Sequence, residues 1–101
     1  MAKRVVWTIT AKKARRNILE YWIKHNGSNT YSKRLSKLFK VKVALLQSEQ
    51  YLGKPTNFLR VRVSLVSHFS IFYEVTDTEI VIVGIWDNRR NPDDLRKNLE
   101  L

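Results

Sequence analysis

At 101 residues and 12.0 kDa the chain has room for one domain around a single two-layer core, and 44% apolar residues with three Gly and two Pro exclude a disordered or low-complexity protein. Cysteine is absent, which excludes disulfides and thiolate catalysis, and two isolated histidines make no metal-ligand pattern, so neither metal nor other cofactor is expected. The net charge of +10 is large for this length and points to a polyanion or an acidic protein as partner.

Arg4-Val5-Val6-Trp7-Thr8-Ile9 is β-rich, and Thr10 is placed to cap a helix over about 11–25, in which Ala14, Ile18, Tyr21 or Trp22, and His25 recur at spacings of three and four. Asn26-Gly27 supplies a left-handed C-terminal cap. Ser28 or Asn29 then caps a second helix over about 29–48, with Tyr31, Leu35, Leu38, Phe39, Lys42, Leu45 and Leu46 as its inward stripe. Two helices joined by a Gly turn form an antiparallel hairpin. Tyr51–Asn57 reads as a loop broken by Gly53 and Pro55.

From Leu59 the period drops to two, with Leu59, Val61, Val63 and Leu65 alternating with Arg60, Arg62 and Ser64. Phe69–Val75 is the next strand and Thr76–Glu79 a tight turn. Ile80–Trp86 is apolar on both faces, as expected of a strand interior to a sheet. Asn91 caps and Pro92 opens a closing helix with Asp93 and Asp94 in its first turn. The order β-α-α-β-β-β-α predicts an α+β domain over 1–101: a helical hairpin packed on one face of a small, mainly antiparallel sheet. No apolar stretch approaches the ~18 residues of a membrane span, and the run after Met1-Ala2-Lys3-Arg4 is too short for a signal peptide, so a cytoplasmic protein with no membrane partner is expected.

The charge is unevenly placed. Residues 1–73 hold fifteen Lys and Arg against Glu20 and Glu49, a balance of +13, whereas residues 74–101 hold four against seven acids, a balance of −3. Within the basic part, Arg60 and Arg62 lie two apart on a strand, so their guanidiniums would leave one face about 7 Å apart and could clamp a phosphate backbone. Which face that is depends on the turn at Val66-Ser67-His68. An odd loop sets Arg60 opposite Glu74 and keeps Leu59, Val61, Val63 and Leu65 on the buried side with Phe69, Ile71, Tyr73 and Val75; an even loop sets Arg62 opposite Tyr73. The odd loop is expected. Arg89 and Arg90 stand beyond a strand end, beside the start of the closing helix, where an anion would meet two cations, unless one of them pairs with Asp87, Asp93 or Asp94. His68 is a general acid or base for phosphodiester cleavage if it meets the arginines, and otherwise an exposed turn histidine. Lys54 is either a mobile phosphate contact or a solvated loop cation.

Ser70–Val75, Ile80–Trp86 and the basic run Asp87-Asn88-Arg89-Arg90-Asn91-Pro92, together with the β-α-α start, the Leu-Gly-Lys-Pro loop and Arg60-Val61-Arg62, resemble the RelE/ParE superfamily of bacterial toxins over nearly the whole chain. The resemblance implies the toxin of a type II toxin–antitoxin pair, neutralised by a cognate antitoxin, here expected to be acidic, that wraps an extended or helical segment around it. It also implies one of two targets. Ribosome-dependent RNases of this group hold the scissile phosphate of mRNA with positions that Arg60, Arg62 and Arg89 or Arg90 match, and this mRNA-cleaving, metal-independent activity is the first expectation. Other members inhibit DNA gyrase without cleaving RNA. The chain departs from the nucleases at Ser70, where they often carry arginine, and in having no Tyr or His after Arg89-Arg90. A non-toxic basic nucleic-acid-binding module accounts for the charge but leaves the closing motif unexplained.

Overall fold

The computed structural model describes residues 3–90. The expected closing helix, with Asn91, Pro92, Asp93 and Asp94, lies outside them. Strand β1 (Arg4–Trp7) leads into α1 (Ile9–Asn26), which begins two residues earlier than Thr10 capping would place it. Thr8 is the cap: its extended backbone presents Oγ1 to the Ala11 N–H at 3.1 Å. Gly27 ends α1 at a φ of 68°, the left-handed cap expected of Asn-Gly. Helix α2 (Thr30–Ser48) returns antiparallel to α1, and the Ser32 hydroxyl donates to the Leu19 carbonyl where the two approach.

The α2 stripe that faces inward is Ser32, Leu35, Phe39, Val43 and Leu46. Leu38 and Leu45, expected inside, are 39% and 42% exposed, and Val43 takes the place expected of Lys42. No helix among the described residues is long and apolar enough to cross a membrane.

Five strands follow the order β1-β5-β4-β3-β2. The short β2 (Lys54–Pro55), read as loop from its Gly and Pro, pairs with β3 (Val61–Val66) at the sheet edge, where proline is tolerated. β4 (Phe69–Val75) lies between β3 and β5 (Glu79–Asp87), and β5 also pairs in parallel with β1. The sheet is thus antiparallel except for that one pair, and β5 is interior as its two apolar faces required.

The β3–β4 hairpin differs from the expected register. Its loop is the two residues Ser67 and His68, with Val66 paired to Phe69, so Arg62 faces Tyr73 and Val61 faces Glu74. Ser67 sits at a φ of 55°, a conformation that two-residue hairpin turns demand at their first position. A one-residue slip turns every side chain over. Val66, Ser64 and Arg62 therefore lie on the helix side with Phe69, Ile71 and Tyr73, while Val61, Val63 and Leu65 lie on the opposite face. A bulge between Gly84 and Ile82 rephases β5, which allows Ile80, Ile82 and Ile85 all to reach the helix-side core. That core packs Leu35, Phe39, Val43 and Leu46 on Phe69, Ile71 and Tyr73, with the Phe39 and Phe69 rings edge to face at 5.5 Å. A second cluster, Val61, Phe72 and Trp86 with Phe58, Val63 and Val83, forms on the other face.

Candidate functional site

The expected site residues fall at two ends of the sheet. At the end reached by β5, the chain turns through Asp87–Arg90, closed by the Arg90 N–H donating to the Asp87 carbonyl at 2.9 Å. Arg89 grips the Asp87 carboxylate with Nε and Nη2, each at 2.8 Å, and its backbone N–H donates to the same group at 3.0 Å. Its guanidinium lies 4.8 Å from the Trp22 ring centre and 5.6 Å from that of Phe69. Arg89 therefore ties the sheet end to the helical hairpin. One arginine of the pair was expected to meet Asp87, Asp93 or Asp94; Arg89 meets Asp87, and the other two acids lie outside the described residues.

Arg90 takes the other course, lying 4.6 Å over Trp86. With Ala14, Asn17, Ile18, Tyr21, Trp22, Ile85, Asp87 and Arg89 it borders a half-open groove of about 650 Å³ between α1 and the end of β5. His68 is at the same end: its carbonyl accepts from the Asn88 N–H at 2.8 Å. The Asn88 side chain in turn accepts from Ser70 Oγ at 2.7 Å. Ser70, where the nucleases often carry arginine, is thus occupied in holding the 87–90 turn.

Partial burial pushes the Asp87 carboxyl up, but the side-chain and backbone hydrogen bonds and charge of Arg89, with His68 nearby, together hold it below its ordinary value. Arg89 is shifted further toward its charged form by the bond to Asp87, which outweighs its desolvation. A carboxyl depressed in the folded state stabilises the fold above its unfolded value, near 3.9, and that contribution is lost as pH falls below it. Asp87→Asn is therefore expected to melt below the parent at neutral pH and to lose less stability on acidification below about pH 4. Parallel acid limbs for the two proteins in thermal melts would contradict this coupling.

At the opposite end, Arg62 does not face solvent as a clamp. Its Nε and Nη2 donate to the Gly53 carbonyl at 3.2 and 2.6 Å, and its guanidinium lies 5.1 Å from the Tyr51 ring centre. The same Gly53 donates its N–H to the buried Tyr73 hydroxyl at 2.9 Å, and that hydroxyl donates to the Gln50 carbonyl at 2.9 Å. Arg60 precedes β3 rather than extending it, in a left-handed turn at a φ of 65°. The expected pair of guanidiniums on one strand face is thus not formed. Lys54 is exposed on β2, opposite Val63.

Arg62 and the hairpin end at Val66 are four residues apart, about 13 Å along β3. Lys54, Arg60 and Arg62 therefore form one group, and His68, Arg89 and Arg90 another. Sequence reading missed Trp22 and Phe69 as seats for Arg89, and Tyr73 and Gly53 as the anchor of Arg62. The Leu-Gly-Lys-Pro run was the available signal for the second.

Residues 5–92 match the family described as ParE toxin of type II toxin–antitoxin system, parDE. The chain belongs to the ParE toxin family. This ParE-family chain shares its fold with a chain of the chromosomal ParDE toxin–antitoxin system from P. aeruginosa, at a TM-score of 0.73 and 23% identity over 83% of this chain and 94% of the other. It also shares it with a chain of the toxin–antitoxin complex RelBE2 from Mycobacterium tuberculosis, at a TM-score of 0.63 and 17% identity over 84% and 96%. Among curated proteins, none matches the ParE-family chain in sequence.

Proposed function

We propose that this toxin acts by binding rather than by cutting RNA: it inhibits DNA gyrase in the cytoplasm and is held in check by an acidic antitoxin. The observation that carries this reading is the commitment of two of the expected phosphate-gripping arginines to the toxin's own structure. Arg62 is bonded to Gly53 and Arg89 to Asp87, at opposite ends of the sheet. Phosphodiester cleavage needs an acid, a base and cations converging on one phosphate, and these groups are instead divided. Arg90 and Arg60, exposed and free of hydrogen-bonded carboxylates among the described residues, are the cations proposed to meet the target.

Ribosome-dependent mRNA cleavage is the second reading, supported by exposed His68 lying at the same sheet end as Arg90. Two assays with the purified toxin separate them. Gyrase inhibition predicts loss of supercoiling and accumulation of gyrase–DNA cleavage complexes, with translated message left intact. Message cut at codon-registered positions only when ribosomes are present, with gyrase unaffected, would overturn the proposal in favour of the second reading.

For the antitoxin, α2 offers a landing face. Leu38, Val41 and Leu45 are exposed at helical spacing, and Lys33, Arg34, Lys37, Lys40 and Lys42 stand on a helix that carries no acid. An acidic amphipathic segment fits both features. Its association rate is expected to fall steeply as salt rises, because long-range attraction is screened over about 10 Å at 0.1 M. An on-rate flat across a salt titration would rule out electrostatic capture.

A further inference from the structure

The loop joining β2 to β3 is tied down by hydrogen bonds, yet it presents an apolar side chain to solvent. Thr56 Oγ1 accepts from the Phe58 N–H at 3.1 Å and donates to the Val61 carbonyl at 2.8 Å. The Thr56 N–H donates to the same carbonyl at 3.1 Å, and Phe58 packs against the Val61, Phe72 and Trp86 cluster. Between these anchors Leu59 is 85% exposed, and Tyr51, 68% exposed, borders the same groove of about 490 Å³. Arg60 follows Leu59 in a left-handed conformation that an arginine adopts only at a cost. No carboxylate lines the groove among the described residues, and Lys54 stands two residues before Thr56.

We infer that this loop contacts DNA directly, setting Leu59 as a wedge against an opened base step while Arg60 and Lys54 hold the flanking phosphates. The inference rests on the gyrase reading and adds to it that the toxin touches the nucleic acid as well as the enzyme. A projecting leucine followed by an exposed arginine, on a loop that an exposed lysine precedes, suits the insertion of apolar side chains into unstacked base steps beside phosphate contacts. The groove has no acid in its lining among the described residues, and it offers no row of apolar anchors at helical spacing such as α2 presents to an amphipathic segment. The Thr56 bonds supply the preorganisation, because a loop already ordered loses little freedom on binding.

The test uses the full chain and a short duplex with a single-stranded gap, carrying 2-aminopurine beside the gap. The parent protein is expected to brighten the probe, and Leu59→Ala to bind without brightening it. Arg60→Gly should melt at or above the parent temperature, since glycine accepts a φ of 65° freely. It should nonetheless bind DNA several-fold more weakly, with the salt slope reduced by about one. Variants that bind and brighten the probe like the parent overturn the inference, as does binding through this loop to RNA or an acidic peptide but not to gapped DNA. A parallel gyrase assay separates the two levels. Cleavage complexes formed equally by the parent and Leu59→Ala overturn the wedge and leave gyrase inhibition standing, whereas intact gyrase activity with the parent overturns the reading beneath it.

Discussion

Gly53→Ala is expected to lower the melting temperature by roughly 10–25 °C. Gly53 has an ordinary backbone conformation, so the cause is proximity. A Cβ there would stand 2.5 Å from the Val63 carbonyl oxygen and 2.7 Å from the Tyr73 hydroxyl. Neither neighbour can yield. Val63 is held between β2 and β4, and Tyr73 is wholly buried with its hydroxyl bonded to Gln50 and Gly53. The loop must move instead, which breaks the Tyr73 bond and withdraws the Gly53 carbonyl from Arg62. Overpacking with an unmade buried hydrogen bond amounts to about 2–4 kcal/mol, a large share of the ~5–15 kcal/mol by which such domains are stable. Tyr73→Phe keeps the ring and removes only the hydroxyl, so its cost should be smaller, about 1–3 kcal/mol. Should Gly53→Ala melt within a few degrees of the parent, the loop is free to shift and the account of its anchoring is wrong.

Expressed alone in bacteria, the chain is expected to reduce colony formation by orders of magnitude, and co-expression of its acidic partner to restore it. Family membership and the basic surface of residues 1–73 motivate this expectation. Arg60→Ala and Arg90→Ala should each relieve the arrest while the protein stays folded. Arg16→Ala, on the helical hairpin, should matter less. Arg62→Ala should also relieve it, but by loosening the Gly53 loop, so its melting temperature should fall where those of Arg60→Ala and Arg90→Ala do not. Normal growth at verified soluble expression would contradict the toxin expectation. Relief by Arg16→Ala alone would move the target-binding surface to the helices.

The element order was legible because its signals are local. Helical periodicity, the Asn26-Gly27 stop and the alternation after Leu59 each declare themselves within a few residues. The hairpin register was not, since a three-residue loop would gather nearly all the apolar side chains of both strands on one face, whereas the two-residue loop gives each face an apolar cluster. Val61, Val63 and Leu65 look more like a core row than Arg62, Ser64 and Val66 do. The difference lies in contacts distant in sequence: Ser64 is small enough to sit beneath the helices, and Arg62 reaches the Gly53 carbonyl nine residues back. The division of the arginines was hidden for the same reason. One expectation, that Asp87, Asp93 or Asp94 would hold an arginine, followed from proximity in sequence, whereas the Trp22 seat of Arg89 lies 67 residues away.

Strand β5 is inserted between β1 and β4, and its parallel pairing joins Arg4 to Glu79. During synthesis the helical hairpin can form from neighbouring contacts, and the β3–β4 hairpin can close soon after. The middle of the sheet must wait for residues 79–87. Closing that pair carries the largest loop-closure cost in the sheet, and the 87–90 turn with Arg90 takes its place only when it closes. The face with which α2 can meet an acidic partner can therefore form on the nascent chain before Arg90, one of the cations proposed to meet the target, is in place. A partner already present in the cell could bind before the surface that includes Arg90 is complete.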